Sequence, residues 1–137
     1  MRKRAEPRLG DLELQILNVL WDCGPSTVRE VLDALPAQPR PAYTTVLTMM
    51  RLMHEKGYLD RRPRGRAHVY QSRLREGRVK RGLLRNLLEA AFRGSAAELV
   101  VHLLEDDKLS REELDRVRRL IAEHEGGGQD GSARPSR

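Results

Sequence analysis

The sequence has one cysteine, Cys23, which excludes an intrachain disulfide and every cysteine-rich metal framework. Cys23 has no resolving cysteine nearby and is read as a packing residue. Histidine is equally sparse: His54, His68, His102 and His124 are scattered, without HxxxH or HExxH spacing, so each reads as a surface or packing residue. Glu105-Asp106-Asp107 reads as a solvated acidic loop, and no metal, cofactor or enzymatic chemistry is expected. Aromatic residues make up only 4% of the 137, so the core must come from Leu, Val, Ile and Met. No apolar run approaches the roughly 18 residues of a membrane span. The N-terminal MRKRAEPR leads into an amphipathic segment instead of a signal-peptide core, and a cytoplasmic chain is expected. This length supports one ordinary domain, or a small domain with an appended oligomerisation module.

Charge, by contrast, is abundant, at 34% of residues, and unevenly placed. Residues 1–80 hold 16 Lys+Arg against 9 Asp+Glu, whereas residues 81–137 hold 10 against 11. A basic front half and a near-neutral rear half suggest that the front meets a polyanion and the rear meets protein. Charge alone leaves simple solubility open as the alternative.

Apolar spacing predicts a helix from about Asp11 to Asp22, with Leu9, Leu12, Ile16, Val19 and Leu20 in one stripe widened by Leu14 and Leu17. Gly24 and Pro25 end it. Thr27 and Glu30 have capping-box spacing and open a second helix, whose apolar face is Val28, Val31, Leu32 and Leu35. Pro36, Pro39 and Pro41 close that one. A third helix runs from about Tyr43 to Lys56 and stops at Gly57. Tyr58-Leu59-Asp60-Arg61-Arg62 and Ala67-His68-Val69-Tyr70-Gln71 read as two strands joined by a turn at Pro63-Arg64-Gly65-Arg66. Three further helices follow. The first carries Val79, Leu83, Leu84, Leu87, Leu88, Ala91 and Phe92. Capping boxes at Ser95/Glu98 and Ser110/Glu113 open the other two, with Leu99, Val100, Leu103 and Leu104 on one and Leu114, Val117, Leu120 and Ile121 on the other.

Three helices and a hairpin are the order of a winged helix-turn-helix, in which the third helix enters the major groove of DNA and the wing reaches a backbone or minor groove. The expected organisation is mainly α: a disordered basic N-terminus at 1–8, a winged helix-turn-helix at 9–74, a three-helix dimerisation region at 75–125 and a disordered tail at 126–137.

On the third helix Val46, Met49, Met50 and Met53 share the core face, while Thr44, Leu47, Thr48 and Arg51 recur at i, i+3, i+4 and i+7 on the face expected to meet DNA. A threonine hydroxyl can bond a phosphate or base edge and its methyl can touch a thymine methyl. Thr45, beside Thr44 near the helix start, can help present free backbone N–H groups to a phosphate. Helping to terminate the helix is the other use of Thr44 and Thr45. Tyr43 either contacts a phosphate or packs, and Tyr70 reads as a half-buried strand residue. Arg61, Arg62, Arg64 and Arg66 crowd the hairpin; Arg62, Arg64 and Arg66 are the expected backbone or minor-groove contacts.

The rear helices have more apolar surface than they could cover alone. The economical solution is a homodimer built on Leu84, Leu87, Leu88, Leu99, Leu103, Leu114, Val117, Leu120 and Ile121; an intramolecular helical subdomain is the competing solution. A dimer would place two recognition helices on a palindromic operator. The rival function is a winged-helix adaptor that uses the third helix on a partner protein.

The runs LGDLELQILNVLWDCGPSTVREVLDAL, AYTTVLTMMRLMHEKGYLDRRPRGRAHVY and GSAAELVVHLLEDDKLSREELDRVRRLI closely resemble the penicillinase-repressor family over about residues 9–123. That family includes the β-lactamase and methicillin-resistance repressors and copper-responsive repressors. The resemblance implies a homodimeric winged-helix transcriptional repressor with interlocking C-terminal helices, bound to palindromic operators upstream of resistance or stress genes. It also implies a membrane sensor protease as a further partner, which in antibiotic-responsive members cuts an Asn-Phe bond; His102-Leu103 stands at that place here. Copper-responsive members carry a C-terminal pair of Cys-x-Cys motifs, which GGGQDGSARPSR lacks, so copper sensing by that route is excluded.

Overall fold

The computed structural model describes residues 8–36 and 39–128. Most of the expected terminal disorder, at 1–7 and 129–137, lies outside the described residues, as do 37 and 38 of the proline-rich turn.

Helix α1 (Asp11–Cys23) begins where the Gly10 N–H donates to Glu13 Oε1 at 2.8 Å, satisfying a donor that the helix itself cannot. It ends at Gly24, whose φ of +81° suits a residue without Cβ, and whose N–H closes on the Leu20 carbonyl at 2.9 Å. Helix α2 (Val28–Ala34) has the full reciprocal capping box: Glu30 N donates to Thr27 Oγ1 at 3.1 Å and Thr27 N to Glu30 Oε1 at 2.9 Å. Helix α3 (Tyr43–Glu55) stops ahead of Gly57, which takes φ +85°.

Strands β1 (Leu59–Arg64) and β2 (Ala67–Ser72) pair antiparallel, from Leu59 opposite Ser72 to Arg64 opposite Ala67. The turn is therefore shorter than the sequence predicts. Only Gly65 and Arg66 form it, with Gly65 at φ +64°, and Pro63 and Arg64 belong to β1. Pro63 is tolerated there because β1 is an edge of the two-stranded sheet. Ser26 adds a one-residue bridge to β2 through Ser26 N to Tyr70 O at 3.0 Å and Tyr70 N to Ser26 O at 2.8 Å. This anchors the base of the wing to the segment between α1 and α2.

The core gathers Ile16, Leu17 and Leu20 of α1, Val31 and Leu32 of α2, and Val46, Met50 and Met53 of α3, capped by Leu59 and Tyr70 from the hairpin. Tyr70 is fully buried, deeper than its expected half-buried position. Each such side chain contributes about 1.5–3 kcal/mol of hydrophobic stabilisation.

Helices α4 (Glu76–Phe92), α5 (Ala96–Glu105) and α6 (Arg111–Gly128) complete the chain. Helix α6 runs past Gly126, the expected start of the tail, because a nucleated helix can propagate through glycines at about 1 kcal/mol each. Contacts divide the chain into two compact units, 1–84 and 85–137. The division falls inside α4, beyond residue 75. The reason lies in the first unit: Trp21 Nε1 donates to the Leu74 carbonyl at 3.0 Å, Lys80 Nζ lies 5.6 Å from the Trp21 ring centroid, and Gly82 is buried. In the second unit Glu98 N bonds Ser95 Oγ at 3.0 Å, and Ser110 and Glu113 form a reciprocal capping box. Among the described residues no helix is long and apolar enough to cross a membrane.

Candidate nucleic-acid interface

Helix α3 separates by face at about 100° per residue. Val46, Met50 and Met53 have no exposed surface, and Thr44, Thr45, Thr48 and Arg51 are exposed on the other side. Leu47 departs from its expected place with the threonines: it is half-buried and packs against the core. Met49 is likewise half-buried, because the buried stripe is wide and these two residues form its flanks. The outward face instead gains Leu52, 43% exposed. Its spacing of i+4 from Thr48 and i+7 from Thr45 was the available signal.

The threonine hydroxyls are uncommitted. Among the described residues no hydrogen bond uses the side chain of Thr44, Thr45 or Thr48, and the N-cap Ala42 supplies no side-chain acceptor. Thr44 and Thr45 therefore do not close the helix start. The Ala42 carbonyl accepts from Thr45 N at 3.0 Å and Val46 N at 3.2 Å, so the backbone donors open to an anion precede Thr45.

Tyr43, the first residue of α3, is 40% exposed and carries the Arg29 guanidinium over its ring, with Cζ 4.9 Å from the centroid. Arg29 was not among the residues singled out from sequence, since nothing in the local pattern of α2 connects it to α3. At the other end of α3, Lys56 Nζ meets Glu13 Oε2 at 3.4 Å, fixing the helix against α1.

Strand alternation sorts the wing arginines. Arg61 pairs across from Tyr70 on the sheet face that carries the core residues, and its Nη1 donates to Tyr70 Oη at 3.5 Å. Arg62 and Arg64 share the opposite face, Arg66 occupies the turn, and all three are exposed. Four guanidinium groups on one short ribbon make a concentrated positive surface.

Among the residues expected to mediate dimerisation, Leu84, Leu87, Val117, Leu120 and Ile121 are exposed, up to 53% at Ile121, and Leu88, Leu99, Leu103 and Leu114 are half-buried. Val100, Val101 and Leu104 add exposed apolar surface on α5. His102 is exposed, with its ring 5.6 Å from that of Phe92, and the His102-Leu103 bond lies inside α5. Cys23 is exposed, not packed as the sequence suggests: it is the last residue of α1, one turn past Leu20 of the buried stripe.

Comparisons with known proteins match most of the chain in sequence. The family model described as penicillinase repressor matches residues 9–123. The transcriptional regulator BlaI of Mycobacterium tuberculosis is 36% identical over 122 residues, covering 88% of this chain and 87% of that protein. The penicillinase repressor of Bacillus licheniformis is 27% identical over 118 residues, covering 86% and 92%. A solution structure of the DNA-binding domain of the repressor BlaI is similar at 27% identity and a TM-score of 0.47, covering 54% of this chain and 90% of that one. The chain belongs to the penicillinase repressor family.

Proposed function

We propose that this protein is a sequence-specific DNA-binding transcriptional repressor that acts as a homodimer on a palindromic operator and controls resistance or stress-response genes. The coarse role, transcriptional repression, follows from the family and its named relatives. The observation that carries the finer reading is the division of α3: fully buried Val46, Met50 and Met53 seat it, while Thr44, Thr45, Thr48 and Arg51 stand free on the opposite side. In this reading those four residues enter the major groove. Tyr43 contacts the backbone beside it, and Arg62, Arg64 and Arg66 neutralise flanking phosphates or enter the minor groove.

The exposed apolar residues of α4, α5 and α6 support the dimer. Leu84, Leu87, Leu120 and Ile121 are each about half exposed, so covering them by a partner would gain roughly 1 kcal/mol per side chain. A two-fold dimer would set its recognition helices about 34 Å apart, or a multiple of that. The functional division is a winged helix-turn-helix at 9–74 followed by a dimerisation region at 75–125. Release by a membrane sensor protease would act at a bond other than the family's Asn-Phe, since His102-Leu103 stands there; a transmembrane metalloprotease gene beside this one would support that route. The test is a gel shift with the gene's own upstream DNA. A retarded band resistant to random competitor is expected, and no band at low salt favours the protein-adaptor reading.

A further inference from the structure

Arg29 stands where helix electrostatics disfavours it. It is the second residue of α2, inside the first turn, where the backbone dipole is positive and acidic residues are favoured. Among the described residues no carboxylate lies within ion-pair distance of it. Its guanidinium lies instead over the Tyr43 ring at 4.9 Å, held beside the exposed face of α3 that carries Thr44 and Thr48. Stacking restrains a guanidinium yet leaves its in-plane N–H donors available to an oxyanion at the edge. The Tyr43 hydroxyl is a second donor with no hydrogen bond among the described residues.

We propose that Arg29 and Tyr43 together form a binding site for one phosphate of the DNA backbone, Arg29 supplying the charge and Tyr43 supplying both the platform and a hydroxyl donor. This rests on the DNA-binding reading above and extends the contact surface from α3 to α2. A cation placed against the helix dipole is disfavoured in the free protein and becomes favourable once a phosphate lies next to it. The stack confines the guanidinium before DNA arrives, so less side-chain freedom is lost on binding.

The test uses the full chain and a duplex of the gene's upstream region, followed by fluorescence anisotropy over a series of KCl concentrations. Arg29→Gln is expected to weaken binding about tenfold per half-site and to lower the slope of log K against log salt by about two, one for each subunit of the dimer, equally on the upstream duplex and a scrambled one. Arg29→Lys, which keeps the charge without the planar guanidinium, should retain the slope. In a set of duplexes with single methylphosphonate substitutions, one neutralised phosphate in each half-site should weaken the wild type and leave Arg29→Gln unaffected. Thermal melts matching the wild type show that the variants are folded. An unchanged slope for Arg29→Gln, with the same methylphosphonate profile as the wild type, overturns the proposal; Arg64→Ala lowering the slope in the same assay would then leave the DNA-binding reading standing. Absence of salt-dependent binding by the wild type overturns both.

Discussion

The carboxylate of Glu13 joins two helix ends: Oε1 accepts the Gly10 N–H at 2.8 Å at the start of α1, and Oε2 accepts from Lys56 Nζ at 3.4 Å at the end of α3. Glu13 is 7% exposed, whereas half of the Lys56 side chain is in solvent. The two partners should therefore respond unequally to removal. Glu13→Ala loses a cap and is expected to cost about 1–2 kcal/mol; Lys56→Ala loses a half-exposed ion pair worth less than about 1 kcal/mol. Urea denaturation monitored by circular dichroism measures both. Equal losses would mean that the ion pair, not the cap, is what Glu13 contributes.

The two faces of α3 predict opposite phenotypes. Met50→Ala empties a fully buried position and should destabilise the protein by about 2–5 kcal/mol, with DNA binding lost only as the fold is lost. Thr48→Ala should leave stability within about 0.5 kcal/mol and change which operator bases are preferred. Selection from a randomised operator pool separates these outcomes. Equal losses on specific and random DNA for Thr48→Ala would argue against base readout.

In the wing, Arg64→Ala combined with Arg66→Ala should weaken binding to every duplex and lower the salt slope by about four, two for each subunit of the dimer. Arg61→Ala should change it less, because Arg61 lies on the core-bearing face of the hairpin near Tyr70 Oη. A salt slope unmoved by the double variant would remove the wing from the interface.

For the rear helices, replacing Leu120 and Ile121 with glutamate places charge on exposed apolar positions of α6. Sedimentation velocity should show a shift from dimer to monomer, while the melting of the first unit is unchanged and affinity for the operator drops. A chain that sediments as a monomer before substitution would contradict the dimer.

Much of this was legible because the signals are local. Thr27 and Glu30 lie three residues apart, Gly24 precedes Pro25, and the 3.6-residue period places Val46, Met50 and Met53 opposite Thr48 without knowledge of the rest of the chain. What was missed depends on elements far apart in sequence. The Ser26–Tyr70 bridge leaves no alternating pattern around Ser26, and the Arg29–Tyr43 stack exists only once α2 and α3 are packed. Leu47 was misplaced because periodicity gives the direction of a side chain, whereas the width of the cleft that receives it is set by neighbouring elements. Pro63 looked like a turn residue, and pairing opposite His68 keeps it in an edge strand.

The most direct measurement is equilibrium binding of the purified chain to a duplex from its own upstream region and to a scrambled duplex of equal length and composition, at one physiological salt concentration. Groove readout by Thr44, Thr45, Thr48 and Arg51 predicts saturable binding to the upstream duplex at least about 1,000-fold tighter than to the scrambled one. Equal affinities for the two, or no binding to either, would contradict it.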